Sequence, residues 1–171
     1  MVLKEFLVEL KRLHDLAALG LPPADLRRYE LAREDLAAAL LHGQQLTLKQ
    51  GETARGAIRV ARMLPLELAV GEKRITGVTL DVSSTGFAVV LASSSADMPG
   101  FISFDIRLPT GRRVRGLGRA TNVVPQSAHV RIGFQITSIS DVDREALTRV
   151  IFDEVLTKLL EGKSPTVDRS P

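Results

Sequence analysis

The chain has 171 residues, 44% of them hydrophobic and 25% charged, enough for one globular domain with extensions and ordinary for that class. It contains no cysteine, which excludes disulfides and thiolate-ligated metals and agrees with a reducing cytoplasm. It has no apolar run of the ~18 residues that a membrane-spanning helix needs. The net charge of +3 is unevenly placed: residues 1–50 hold seven basic and seven acidic side chains, residues 51–135 eleven and six. That surplus would draw an anionic ligand to the middle of the chain.

The first residues, Met-Val-Leu-Lys-Glu-Phe, read as the start of a helix rather than a cleaved leader. Leu3, Phe6, Leu10, Leu13 and Ala17 recur at helical spacing and predict a helix to about Leu19. Gly20-Leu-Pro-Pro23 breaks it. A second helix, with Asp25 in its first turn, carries Leu26, Tyr29, Arg33, Leu36 and Leu40 on one face and is expected to end at Gly43. The two form a helical hairpin, residues 1–48. Two such stripes are too small a core to stand alone, so the hairpin is expected to dock on the next domain or to pair with a second copy in a homodimer.

After a polar linker, Gln44 to Glu52, the period falls to two. Leu64 to Val70, Ile75 to Leu80, Phe87 to Leu91, Ile102 to Leu108, Val114 to Val124 and Val130 to Ile136 read as six short strands separated by turn residues. They predict a closed or nearly closed antiparallel barrel within residues 49–140. A last helix, residues 141–162, has Ser140 as N-cap, Asp141 and Asp143 in its first turn and Gly162 as the residue past its end. Residues 163–171 are polar, hold two prolines and are expected to be disordered.

Two motifs flank the first strand. Arg55-Gly-Ala-Ile-Arg59 precedes it; Asp81-Val-Ser-Ser-Thr-Gly86 follows the second strand at a turn. Each alone reads as ordinary surface arginines or an ordinary turn. Together, in this order and joined by a strand, they resemble the PilZ domain, a bacterial receptor module for cyclic di-GMP, over about Arg55 to Asp141. The resemblance implies a mainly β fold, a six-stranded antiparallel barrel with helices added at both ends. It also implies a ligand site of Arg55, Arg59, Asp81, Ser83 and Gly86, with the arginines on a flexible segment and the nucleotide held between it and the turn.

The residue types suit that ligand. Arginine offers a planar fork to phosphate and to the guanine O6/N7 edge. A carboxylate such as Asp81 accepts from the opposite guanine edge, and a hydroxyl such as Ser83 donates or accepts beside it. Gly86 permits positive φ or close approach of a base. Ala54 stands where many family members carry a further Arg, and Arg62 follows nearby.

Other constellations read as structural. His14, His42 and His129 lack metal-ligand spacing and read as surface or interface residues, so no metal is expected. Ser83 and Ser84 have no base beside them, so no catalytic residue and no enzyme activity are expected. Gly116-Leu-Gly118 lies within a strand pattern and serves curvature, and Phe101 and Phe104 read as core. Arg112, Arg113 and Arg115 read as solvated surface. Aromatic residues are too scarce for a nucleic-acid surface. The expected function is a cytoplasmic cyclic di-GMP receptor, without cofactor, that changes its contacts with an unidentified protein partner. The alternative is a nucleotide-independent adaptor of the same fold working through its helices.

Overall fold

The computed structural model describes residues 2–53, 55–92 and 100–167. Among these residues are three helices and seven strands: α1 (Leu3–Ala17), α2 (Pro23–Leu46), β1 (Val60–Ala61), β2 (Pro65–Val70), β3 (Lys73–Val82), β4 (Gly86–Ala92), β5 (Phe101–Arg107), β6 (Arg113–Pro125), β7 (His129–Ile139) and α3 (Asp141–Leu160). They divide into two compact units, Met1–Ile58 with Phe152–Thr166, and Arg59–Ile151 with Val167–Pro171. No described helix is long and apolar enough to cross a membrane.

In the helical unit, α1 buries Leu7, Leu10, Leu13, His14 and Ala17. Leu10, Leu13 and Ala17 are buried as expected, but Leu3 is 69% exposed and Phe6 half-buried, and Leu7 and His14 complete the buried face. Both sets obey helical spacing, so periodicity alone did not choose between them. His14 is no surface residue. Its Nδ1 lies 2.8 Å from the Tyr29 hydroxyl of α2, which also accepts from Arg33. The Arg33 guanidinium sits over the rings of Tyr29 and Phe152.

The second helix does not end at Gly43. It continues to Leu46, where Thr47 caps it by donating to the Gln44 carbonyl. An interior glycine weakens a helix by about 1 kcal/mol without breaking it, and Gln44, Gln45 and Leu46 are adequate helix formers. Gly20 and Gly162 do take positive φ, at 100° and 71°. Gly162 closes α3 in a Schellman arrangement: Lys163 donates to the Lys158 carbonyl and Gly162 to that of Leu159.

The other unit is a six-stranded antiparallel barrel. Neighbours run β3-β2-β5-β6-β7-β4, and β4 pairs back onto β3 to close the ring. The two-residue β1, unforeseen because two residues show no periodicity, adds to β3 through Val60↔Val82 and Ala61↔Asp81. Alternate residues point inward, among them Leu66, Leu68, Val89, Ile106, Val114 and Ile132. Phe87 anchors the centre, its ring 5.1 Å from Phe104 and 5.4 Å from Phe134. Phe101 departs from expectation. With Ile102, Phe104 and Ile106 turned inward, it faces out and is 66% exposed.

Of the tail expected to be disordered, residues 163–167 are described. Pro165 is buried and the Val167 amide donates to the Arg59 carbonyl, fixing the chain where its polar composition gave no sign of order. Residues 168–171 lie outside the described residues.

Two glycines differ in kind. A Cβ on Gly116 of β6 would stand 2.4 Å from the Ser138 carbonyl oxygen and 2.7 Å from the Phe104 ring, whereas one on Gly43 would meet nothing within 4 Å. Gly116→Ala should therefore cost about 1–3 kcal/mol. Gly43→Ala, in a helix interior, should add about 0.5–1 kcal/mol. Paired thermal melts check both signs.

Candidate functional site

The site of interest grows from a defect in the β3–β4 ladder. Register shifts between Thr79 and Asp81, so that Thr79 opposes Val89 and Asp81 opposes Ala88, leaving Leu80 as the extra residue. The bulge is supported on its other side. Arg62 donates its amide to the Leu80 carbonyl, and the Thr79 hydroxyl donates to the Arg62 carbonyl at 2.6 Å while accepting from the Leu64 amide at 2.9 Å. Beyond the bulge, Asp81 lies against Ala88 of β4, which pairs with Gly133 of β7. Ile132 and Phe134 point into the core, so Gly133 and Arg131 share the outer face with Asp81.

Asp81 is the electrostatic centre. Its side chain is only 4% exposed, yet it carries a carboxylate. Arg59, just before β1, brings Nη1 to 3.3 Å from Oδ1, and Arg131 of β7 places Nη2 at 3.4 Å from Oδ2. Only the Arg131 contact has hydrogen-bond geometry; Oδ1 has no hydrogen-bond partner among the described residues. A carboxylate this buried needs its counter-charges, and an acceptor left open within it is suited to an incoming N–H donor.

The turn after Asp81 is held by Ser83. Its amide donates to the Gly86 carbonyl at 2.8 Å. Its hydroxyl accepts from the Gly86 amide at 3.0 Å and donates to the Gly86 carbonyl at 3.1 Å. The Ser84 carbonyl takes a hydrogen bond from Arg144 of α3, and the Thr85 carbonyl one from the Ile136 amide. The turn is thus tied to β7 and to the start of α3.

Gly86 has neither positive φ nor open space before it. A Cβ there would lie 2.5 Å from the Phe134 carbonyl oxygen, so glycine is demanded by the neighbouring strand. Of the two reasons the sequence offered for glycine here, positive φ is thereby excluded.

Of the expected site residues, the barrel unit therefore brings Arg59 and Asp81 together and places Ser83 and Gly86 two and five positions further along the same segment. Arg55 belongs to the other compact unit, is half-buried, and is engaged by the protein. Ala54 lies outside the described residues. Sequence reasoning missed Arg131 and Arg144. Both come from segments distant in the chain, and Arg131 occupies an ordinary outward position in the alternation of β7, where a charged residue gives no signal.

The remaining arginines named from the sequence are committed elsewhere. Arg112 pairs with Asp143 at 3.0 Å; Arg113 and Arg115 each donate through Nε to Asp105, at 2.9 and 2.8 Å. Burial pushes the Asp105 carboxyl up, but the hydrogen bonds from Arg113 and Arg115 outweigh it and hold the group below the ordinary carboxylate value. In the helical unit, His14, Asp15 and Asp153 present ligand atoms within 4.8 Å of one another. The Lys11 ammonium already serves as their cation, bonded to Asp15 and 3.6 Å from Asp153. Burial lowers its pKa, and these two carboxylates more than offset that.

Comparison with known proteins agrees with this architecture. The sequence matches the family model of the PilZ domain over residues 53–153, well over half its length. The chain belongs to the PilZ domain family. The inhibitor of motility MotI/DgrA of Bacillus subtilis resembles it with a TM-score of 0.57 and 23% identity, over 63% of this chain and 53% of that one. The PilZ domain of Escherichia coli YcgR, solved with c-di-GMP, gives 0.51 and 13%, over 59% of this chain and 91% of that one. The match thus spans about half of MotI/DgrA. No curated protein matches.

Because Ser83 is consumed by the turn, Ser83→Ala should lower stability by about 0.5–1.5 kcal/mol in the absence of any ligand. Gly86→Ala, forced against backbone rather than a yielding side chain, should cost about 1–3 kcal/mol. Denaturant unfolding of the unliganded variants measures both; a Ser83→Ala curve superposing on wild type would show the hydroxyl is free for other work.

Proposed function

We propose that this PilZ protein is a receptor for cyclic di-GMP without catalytic activity of its own. The observation that carries the reading is the meeting of Arg59 and Asp81. Residues 22 positions apart, one from each motif, come within 3.3 Å on the outer barrel wall, the aspartate with an open acceptor. The ligand calls for both groups: guanidinium forks for phosphate and the guanine O6/N7 edge, and a carboxylate for guanine N–H donors. Arg55, four residues before Arg59, supplies the second fork. Ser83 and Gly86 contribute by fixing the turn that sets Asp81 in place. The PilZ domain of YcgR, solved with c-di-GMP, supports the choice of nucleotide.

On this reading Arg59 leaves its intramolecular partner for the ligand, and the segment carrying Arg55 and Arg59 becomes ordered around it. Nucleotide occupancy is thereby coupled through the chain to the helical unit, whose exposed Val2, Leu3, Val8 and Leu19 offer apolar surface to a protein partner or a second copy. The protein acts in the cytoplasm, where the messenger is made and sensed. Failure to bind the nucleotide would leave the adaptor function, exercised through the same helices.

Calorimetric titration tests the reading. Wild type should bind cyclic di-GMP at micromolar concentration or tighter, with the stoichiometry read from the same isotherm. Arg59→Ala should weaken binding by about 1–3 kcal/mol, the worth of one bidentate contact. Arg59→Lys should be impaired as well, because an ammonium lacks the fork. An isotherm without heat at any temperature tried, together with an unshifted melt, would refute the receptor function. Hydrogen exchange should show amides from Arg55 to Arg59, ahead of β1, gaining protection on adding nucleotide; equal protection in both states would remove the ordering step while leaving binding intact.

A further inference from the structure

Arg131 lies outside both motifs, about fifty residues beyond Asp81, yet the barrel brings it to the same carboxylate. The registers Asp81↔Ala88 and Ala88↔Gly133 place Gly133 two strands across from Asp81, and Arg131 precedes it by one step on the same face. Its Nη2 donates to Asp81 Oδ2 at 3.4 Å while Arg59 stands beside Oδ1. Arg131 is itself 32% exposed, so its guanidinium is partly desolvated on the wall.

The two contacts are unequal in what they can give up. Arg59 sits in the segment before a two-residue strand, whereas Arg131 is held mid-strand, paired on one side with Val90 of β4 and on the other with Val124 of β6. A buried carboxylate stripped of its only cation is strongly disfavoured. Were Arg59 that only cation, a ligand that drew it away would strand Asp81.

We propose that Arg131 is a positioning residue for the nucleotide site: it neutralises Asp81 through Oδ2 while Arg59 exchanges Asp81 for the ligand, leaving Oδ1 to accept guanine N–H groups. Arg131 acts through Asp81 and does not touch the nucleotide. The inference rests on the cyclic di-GMP reading above.

The test is a titration of the full chain with cyclic di-GMP, carried to millimolar concentration, for wild type, Arg131→Gln, Arg131→Lys, Asp81→Asn and the Asp81→Asn/Arg131→Gln pair. Far-UV dichroism and melts confirm that each is folded. Arg131→Gln should weaken binding at least tenfold. Arg131→Lys, which keeps a cation beside Oδ2, should return to within about threefold of wild type. In the Asp81→Asn background, where there is no charge to neutralise, Arg131→Gln should change affinity less than twofold, the non-additivity that marks action through a shared partner. Should Asp81→Asn bind too weakly to measure, the contrast between Lys and Gln decides. Equal losses for Lys and Gln, no loss for either, or additive losses would overturn the assignment. Wild type that fails to bind sinks the receptor reading and this inference with it. Wild type that binds, with Arg131 variants behaving in any of those three ways, sinks the inference alone.

Discussion

The barrel wall is organised around one buried carboxylate. Asp81 is 2% exposed as a residue, and a charge so placed survives only where the fold brings cations to it. Here they come from opposite directions in the chain: Arg59 ahead of β1 and Arg131 from β7. Two small residues, Ala88 and Gly133, lie in line with Asp81 across the next two strands. The carboxylate, its cations and the small residues form a set in which changing one member alters what the others must do.

The same segment also closes the ring. β3 pairs with β2, with β1 and, through the bulged stretch, with β4. The bulge at Leu80 sets the register beyond it, placing Asp81 opposite Ala88, and Thr79 locks the bulge by bonding both the Arg62 carbonyl and the Leu64 amide. Barrel closure and site geometry are therefore one constraint. On the receptor proposal, substitutions in the Asp81–Gly86 turn would act on stability and on binding together, so a loss of binding by itself would not identify a lost ligand contact. Ser83 and Gly86 show why. Both belong to the motif, and both have complete structural reasons to be what they are: a hydroxyl that satisfies Gly86, and a glycine pressed against the Phe134 carbonyl.

The six barrel strands and the three helices were legible because their apolar periods, two and near 3.6, are long and regular. What escaped notice was whatever period does not encode. β1 is two residues long. The end of α2 depended on whether Gly43 breaks a helix, a matter of about 1 kcal/mol that the following glutamines and leucine outweigh. On α1, period did not encode that polar His14 joins the buried face, where the Tyr29 hydroxyl gives it a partner. Phe101 faces out because the alternation of its own strand had already spent the inward positions on Ile102, Phe104 and Ile106. In the site, Arg59 and Asp81 were legible as motif residues. Arg131 and Arg144 were not, since their partners lie 50 and 60 residues away.

Among the described residues there are two Arg–Asp–Arg groupings, and they differ in burial and in satisfaction. At Asp105 both arginines donate through Nε at 2.8–2.9 Å, are 45% and 66% exposed, and come from β6, beside Asp105's own strand. Every lone pair that matters is met, and the group reads as a cross-strand clamp on the sheet. At Asp81 the arginines are 28% and 32% exposed, stand 3.3–3.4 Å away, and leave Oδ1 without a hydrogen bond. The second grouping is more buried and less well satisfied, the opposite of what stability alone would select, because an imperfectly paired charge costs more where water is excluded. On the receptor proposal, a partly desolvated cation beside an unsatisfied acceptor suits exchange with an incoming ligand, and this mismatch between burial and satisfaction, more than the presence of arginine, sets Asp81 apart from Asp105.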